Sequence, residues 1–356
     1  MIARVVAASC LIALVARPAL ASRPPLYPDE VRVAFKKMLE RSTVPLDARK
    51  LGSKRDADGN LVERVSIASE KKRSGQVERI PLLVVRPAKA RGRRPAVIVV
   101  HGTGEKKESQ LEMLSKLAAK GIIGVALDAR YHGQRAPDAE GADAYDAALI
   151  EAWRADSEAQ EHPLYYDTVW DVWRVVDYLE KRSEVDRSRV GLIGFSMGGI
   201  VTWLAAAADE RIKVAVPVIA VQSFRWSVDN DQWQARAKTI QAAHEAAAKD
   251  LHEPKVNARV SEALWKKLTP GLLDTFDAPS MLRLFAPRAL LIINGEIDPD
   301  CPIGGARIAF AAAQSAYRAR EASEKLKIVI SRGVAHTVTD EHRAEALDWL
   351  EEWLRP

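Results

Sequence analysis

Arg189-Val190-Gly191-Leu192-Ile193-Gly194-Phe195-Ser196-Met197-Gly198-Gly199-Ile200 reads as a buried strand, a very sharp turn and a helix. Its centre is G-x-S-x-G. In that pattern the serine occupies a strained strand-to-helix turn, and glycines flank it because a side chain at Gly194 or Gly198 would strike the neighbouring strand or helix. Ser196 is therefore expected to project its hydroxyl from the carboxyl edge of a sheet. The helix that follows, over residues 199–208, would aim free N–H groups and its positive dipole end at negative charge developing beside that hydroxyl. G-x-S-x-G also occurs by chance in glycine-rich loops. The apolar run before it and the Ala-rich helix after it are what mark Ser196 as a nucleophile.

Outward from this turn the chain alternates between apolar strand-length runs and helical patterns. Strands are predicted over residues 95–100, 122–127, 214–221, 288–294 and 326–331, and helices over 109–120, 167–182, 303–320 and 339–354. Such alternation is the signature of a mostly parallel sheet with helices on both faces, an α/β fold. Residues 61–68 and 77–86 flank the polar turn Glu70-Lys71-Lys72-Arg73-Ser74-Gly75-Gln76 and read as an antiparallel hairpin at a sheet edge, with a solvated basic tip. Before it, residues 29–41 carry Val31, Phe35, Met38 and Leu39 at the spacing of a short amphipathic helix. Residues 134–162 form a polar, Ala-rich excursion to which no element is assigned.

The alternation is interrupted once, by about 65 residues, 222–286, in place of a short connection. Their pattern is helical, with Trp233, Ala237, Ile240, His244, Ala247 and Leu251 on one stripe. An insertion here is expected to form a cap over the catalytic edge. Phe224, Trp226, Trp233, Trp265 and Phe276 either line an apolar wall for substrate or pack the cap on itself. Phe224 and Trp226, with Tyr131, are the substrate-wall candidates. The domain count is then one catalytic domain, 61–356, with the cap 222–286 inside it and a linker and helix, 22–60, ahead of it.

Composition places the chain among globular proteins: 356 residues, 47% hydrophobic and 28% charged, enough for a sizeable core. Residues 1–21 have the form of a cleavable signal peptide, with Arg4, an apolar run from Val5 to Val15, and Ala19-Leu20-Ala21 before Ser22. The apolar run is too short to span a bilayer, so the mature protein is expected to be periplasmic or secreted without a stable membrane span. The formal charge of +5 falls to +3 once Arg4 and Arg17 leave, too mild and too evenly spread for a nucleic-acid partner. Cys10 lies in the signal, so Cys301 remains alone and no internal disulfide can form. Nothing in the sequence sets the oligomeric state.

A serine hydroxyl at neutral pH needs a base within hydrogen-bond reach, and that base needs a third group to fix its tautomer. Asn294-Gly295-Glu296-Ile297-Asp298-Pro299-Asp300 follows a buried strand, so a carboxylate there shares a sheet edge with Ser196. Asp298 is the chosen orienting acid, with Asp300 as its competitor and Glu296 behind both. His336, in the Ser331-Arg332-Gly333-Val334-Ala335-His336-Thr337 loop after the last strand, is the general base and acid. An oxyanion hole requires two backbone N–H groups. Met197, after the nucleophile, supplies one, and Thr103 in His101-Gly102-Thr103-Gly104 the other, with Gly102 or Gly104 as substitutes. Asp128 and Arg130 are expected to pair and buttress this edge, and His101 to brace its loop. His244 reads as a packed or surface residue, and His162, His252 and His342 as solvent-facing. Cys301 reads as a small buried residue opening a helix. No metal-ligand spacing and no dinucleotide-binding glycine pattern follow a strand, so no cofactor or metal is expected.

From about Leu61 onward these motifs, in this chain order, resemble the α/β-hydrolase superfamily. Asp128-Ala129-Arg130-Tyr131-His132-Gly133 and the run from Val185 through Gly199 resemble its dienelactone hydrolase, acetyl esterase and prolyl oligopeptidase-like branch. The resemblance implies an eight-stranded sheet whose second strand is antiparallel. Dienelactone hydrolases use cysteine where this chain has Ser196. Prolyl oligopeptidases carry a large N-terminal propeller, for which the stretch ahead of the first predicted strand is too short. The expected activity is hydrolysis of a small-molecule carboxylic ester through an acyl-enzyme. A small serine peptidase or amidase on the same triad, or an inactive hydrolase-like binding protein, are the other readings.

Overall fold

The computed structural model describes residues 27–88, 92–136, 142–156 and 161–355. The expected signal peptide, its cleavage site near Ala21 and most of the linker lie outside them. Strands β1 (Arg49–Arg55), β2 (Leu61–Lys71), β3 (Val77–Arg86), β4 (Arg94–Val100), β5 (Ile123–Leu127), β6 (Val185–Phe195), β7 (Ile212–Val218), β8 (Ala289–Gly295) and β9 (Leu326–Ser331) form one sheet. Their order is β1-β2-β3-β5-β4-β6-β7-β8-β9. The β1, β2 and β3 pairings and the β3 to β5 pairing are antiparallel, and all others are parallel. The carboxyl ends of β4, β6, β8 and β9 therefore face one edge, and the loops carrying His101, Ser196, Asp298 and His336 leave from it.

The sheet has nine strands where eight were expected. The addition is β1, inside the stretch read as linker and helix. Its sequence, Arg-Lys-Leu-Gly-Ser-Lys-Arg, has no apolar alternation, six of its seven residues are exposed, and the register breaks at Gly52. Charge and a bulge are how an edge strand avoids pairing with another chain, and they erase the pattern by which a strand is recognised.

The helices are α1 (Pro28–Met38), α2 (Leu111–Ala119), α3 (Ala142–Arg154), α4 (Tyr166–Glu180), α5 (Met197–Ala208), α6 (Phe224–Asp229), α7 (Gln234–Lys238), α8 (Gln241–Asp250), α9 (Ala258–Leu268), α10 (Ala278–Arg283), α11 (Ile303–Ala319) and α12 (Asp340–Leu354). Side chains of β4 alternate between two cores. Ala96, Ile98 and Val100 join α1, α4, α5, α10 and α11 on one face, while Val97 and Val99 join α2 and α12 on the other. Every residue of α5 is buried. In α1, Phe35 packs edge-on to Tyr166, Trp173 and Phe276, tying the start of the described chain to the main core.

Helix α3 arises in the excursion given no element: Tyr145, Leu149 and Ala152 recur at helical spacing and are buried. Its contacts are with α8 and α9. Residues 222–286 are helical, but their stripe is broken between α7 and α8 and is not one continuous helix. The basic tip of the hairpin is solvated as expected, with Lys71 and Arg73 exposed, while Glu70 at its base is largely buried between Arg41 and Arg130. Among the described residues no helix is long and apolar enough to cross a membrane.

Candidate active site

Ser196 sits at φ 49°, ψ −114°, a conformation side chains rarely adopt, and its N–H is held by the Val218 carbonyl at 3.0 Å. The glycines around it are set by close approach. A Cβ on Gly194 would lie 2.1 Å from the Gly198 carbonyl oxygen, and one on Gly198 would lie 2.2 Å from the Val100 oxygen. Strands β6 and β4 and helix α5 can thus converge beneath Ser196 only without side chains there.

The loops after β8 and β9 bring their residues to this serine. The Ser196 hydroxyl donates to His336 Nε2 at 2.8 Å, and His336 Nδ1–H donates to Asp298 Oδ2 at 2.8 Å. Asp298 Oδ1 accepts from the N–H groups of Asp300 (2.8 Å) and Cys301 (3.2 Å), so the carboxylate cannot rotate away. Gly295 permits the approach of the two loops, since a Cβ there would fall 2.3 Å from the Val334 oxygen. Asp300, the competing acid, meets the other ring nitrogen: its Oδ2 is 3.5 Å from Nε2. Glu296 instead accepts from the Gly333 N–H, at 3.0 Å.

Met197 opens α5 directly after the serine, and Thr103 lies in the turn after β4. Of the two substitutes, Gly102 is removed: its N–H donates to Glu105 Oε2 at 3.2 Å. His101 is buried and braces this turn, donating from Nδ1 to the Gly102 oxygen (2.7 Å) and accepting the Ala129 N–H at Nε2 (3.1 Å). Burial holds its pKa below the ordinary imidazole range.

The substrate-wall candidates are placed differently. Phe224 is 3% exposed and packs against Tyr165 and Trp265, so it belongs to the interior and presents no open wall. Trp226 is half-buried over Gly304 and Gly305, at the start of α11. Tyr131 adopts φ 60°, donates its hydroxyl to Glu161 at 2.6 Å, and has the Lys72 ammonium over its ring. Trp233, Trp265 and Phe276 are all buried.

Asp128 and Arg130 do not pair with each other. Asp128 takes Lys107 Nζ at 2.7 Å, whereas Arg130 bonds Asp171 (2.8 Å) and Glu70 (2.5 Å). Arg135 also reaches Asp171 and Glu78, each at 2.7 Å. Although burial alone would raise it, the two guanidiniums hold the Asp171 carboxyl well below the usual range. Two histidines read as solvent-facing are also corrected. His342 is buried and hydrogen-bonds Ser331 Oγ at 2.6 Å, and His162 is half-buried on the Leu268 carbonyl at 3.0 Å. His244 is the packed form of its two readings, and burial lowers its pKa to about 4.

Sequence reasoning missed Arg236. From α7, buried, it donates Nε (3.2 Å) and Nη2 (2.9 Å) to the Asp300 carbonyl and reaches Cys301 Sγ at 3.2 Å. Gln222 bonds the same carbonyl at 2.7 Å. Burial by itself favours a neutral guanidine, but Cys301, Tyr165, Asp300 and Asp298 keep Arg236 charged. The signal was present: Trp233, Arg236 and Ile240 share a helical face, and a cation on an apolar face needs a partner.

Among the described residues, Asp298, Cys301 and His336 are grouped closely enough to hold a metal ion. They do not suit one as they stand. Asp298 Oδ2 and His336 Nδ1 are engaged with each other, Nε2 with Ser196 and Asp298 Oδ1 with two backbone N–H groups, and burial pushes the Cys301 thiol well above its ordinary range, away from the thiolate a metal requires.

An acetyl xylan esterase (AXE1) family model matches residues 44–231, and a prolyl oligopeptidase family model matches residues 157–356. The chain is 25% identical over 290 residues to YtaP of Bacillus subtilis (strain 168), a match covering 78% of this chain and 84% of that protein. Among solved structures, acetyl xylan esterase 1 from Thermoanaerobacterium sp. JW/SL YS485 superposes with a TM-score of 0.64 at 19% identity, over 92% of this chain and 94% of that one. A glucuronoyl esterase from Solibacter usitatus gives 0.62 at 16% identity, over 92% of each. At such identities the two structures speak for the fold.

Proposed function

This chain belongs to the acetyl xylan esterase and prolyl oligopeptidase families of the α/β-hydrolase superfamily, and from that premise we propose that it is a serine hydrolase of carboxylic esters. The observation that carries the reading is the continuous contact from Ser196 Oγ through His336 to Asp298, 2.8 Å at each step. In this mechanism Ser196 attacks the ester carbonyl while its proton passes to Nε2. Asp298 holds Nδ1–H and stabilises the imidazolium, and the N–H groups of Met197 and Thr103 receive the oxyanion. The Nε2 proton then goes to the departing alcohol, and water releases the acyl group from Ser196.

Two carboxylates flank the nucleophile: Asp300, and Glu105 on the Gly102 N–H. They favour an ester with no negative charge near the reacting carbonyl, for which acetylated sugars, as in the acetyl xylan esterase family, are the first class to test. The prolyl oligopeptidase match supports a second reading, an amidase or peptidase on the same three residues. A panel of nitrophenyl esters of graded acyl length beside aminoacyl nitroanilides separates the two, with Ser196→Ala as the control. Preference for the anilides overturns the esterase reading. We further read residues 1–21 as directing export, which N-terminal sequencing of protein from the native host would test.

A further inference from the structure

The carboxylate of Asp300 has no role in the mechanism above, yet it lies at the reacting edge of the imidazole. Asp298 occupies the Nδ1 edge of His336 and is wholly buried, while Asp300 Oδ2 lies 3.5 Å from Nε2 with its side chain 14% exposed. Among the described residues no N–H or O–H donor bonds either oxygen of this carboxylate. Its position is nevertheless fixed, because its N–H is tied to Asp298 and its carbonyl takes bonds from Gln222 and Arg236.

We propose that Asp300 is the second anchor for the water that hydrolyses the acyl-enzyme, an inference that rests on the serine-esterase reading above. In the acyl-enzyme Ser196 Oγ carries no hydrogen, so Nε2 is a bare acceptor facing a carboxylate, itself only an acceptor, across 3.5 Å. With the imidazole neutral, two acceptors at that separation repel unless a group with two donor hydrogens bridges them from the side. Water has two; an alcohol has one. An oxygen about 2.8 Å from each can span the gap, donating one hydrogen to Nε2 and the other to Asp300, which turns its lone pair toward the acyl carbon.

The step balances. The water oxygen bonds the acyl carbon as its first proton moves to Nε2, while its second stays on that oxygen, hydrogen-bonded to Asp300. The carbon–Oγ bond then breaks, the Nε2 proton returns to Ser196, and the acid leaves. Asp300 is therefore expected to serve deacylation and not acylation.

Reaction with 4-nitrophenyl acetate, followed by rapid mixing and intact-protein mass, tests this. In Asp300→Ala the acetyl adduct is expected to persist about tenfold longer, with kcat and KM falling together, kcat/KM nearly unchanged, and a burst of nitrophenol equal to the enzyme present. Asp300→Asn, whose amide oxygen still accepts a hydrogen bond, should recover part of the loss and stands in should the alanine variant fail to fold. An unchanged adduct lifetime in both variants overturns the role of Asp300 alone, as does a fall in kcat/KM as large as that in kcat. Wild-type protein that forms no adduct on Ser196 and turns over no ester overturns the serine-esterase reading, and this proposal with it.

Discussion

Asp298 and His336, 38 positions apart, meet through a 2.8 Å contact in which the carboxylate is fully buried and the imidazole is 24% exposed. In the proposed mechanism this shields the orienting acid from water and leaves the base open on the side that would exchange protons with substrate. Asp298→Asn replaces the acceptor at Nδ1 with a group that can also donate, which permits the wrong tautomer at Nε2. The expected result is a loss of about 10³–10⁴ in kcat on nitrophenyl esters, with unchanged circular dichroism. Activity within tenfold of wild type would remove Asp298 from the mechanism.

At Gly194 the test is steric. A methyl group there would meet the Gly198 carbonyl at 2.1 Å, backbone against backbone, with no flexible side chain to yield. Gly194→Ala should destabilise the protein by ~3 kcal/mol or more and abolish labelling of Ser196 by a fluorophosphonate probe. Urea unfolding and labelling measured on one preparation check both. Full labelling would mean that the turn has more room than this packing allows.

Two buried histidines make stability depend on pH. Burial lowers both His132 and His244 to about 4, against an ordinary value of 6.5. The unfolded chain therefore binds more protons than the folded one between pH 6.5 and 4. Stability is greatest above that window and falls as pH drops through it, by up to ~3 kcal/mol for each histidine. Denaturation midpoints at pH 7.5 and 4.5 should show this, and His244→Gln should flatten the dependence. An identical slope in that variant would assign the loss to other groups.

Arg130 joins the hairpin side of the sheet to α4 through Glu70 and Asp171, all largely or fully buried. Arg130→Met leaves Asp171 with Arg135 and leaves Glu70 with Arg41. Breaking a buried pair from one side costs ~3–5 kcal/mol, which should appear as a lower urea midpoint, with ester hydrolysis retained in the absence of denaturant. An unchanged midpoint would mean that the network contributes little to stability.

The main sheet was readable because its strands are continuous apolar runs between helical patterns, a signal carried by each segment alone. Strand β1 and helix α3 were not. The first is a charged edge strand, and the second buries a narrow face against α8 and α9, whose position a local pattern does not contain. The same holds for His342, whose ring is buried and hydrogen-bonded to a serine from a different element.

By itself the sequence determined the strand-turn-helix at Ser196, the order Ser, Asp, His along the chain, and the sheet edge from which their loops depart. All of these follow from local sterics and hydrophobic periodicity. Only the tertiary structure decided that Asp298 meets Nδ1 while Asp300 meets Nε2, that Glu105 occupies the Gly102 N–H, and that Arg236 lies behind the acid loop. Those choices turn on differences of an ångström or two between side chains on separate loops. Such distances are set by how helices and strands pack, and no single stretch of chain encodes them.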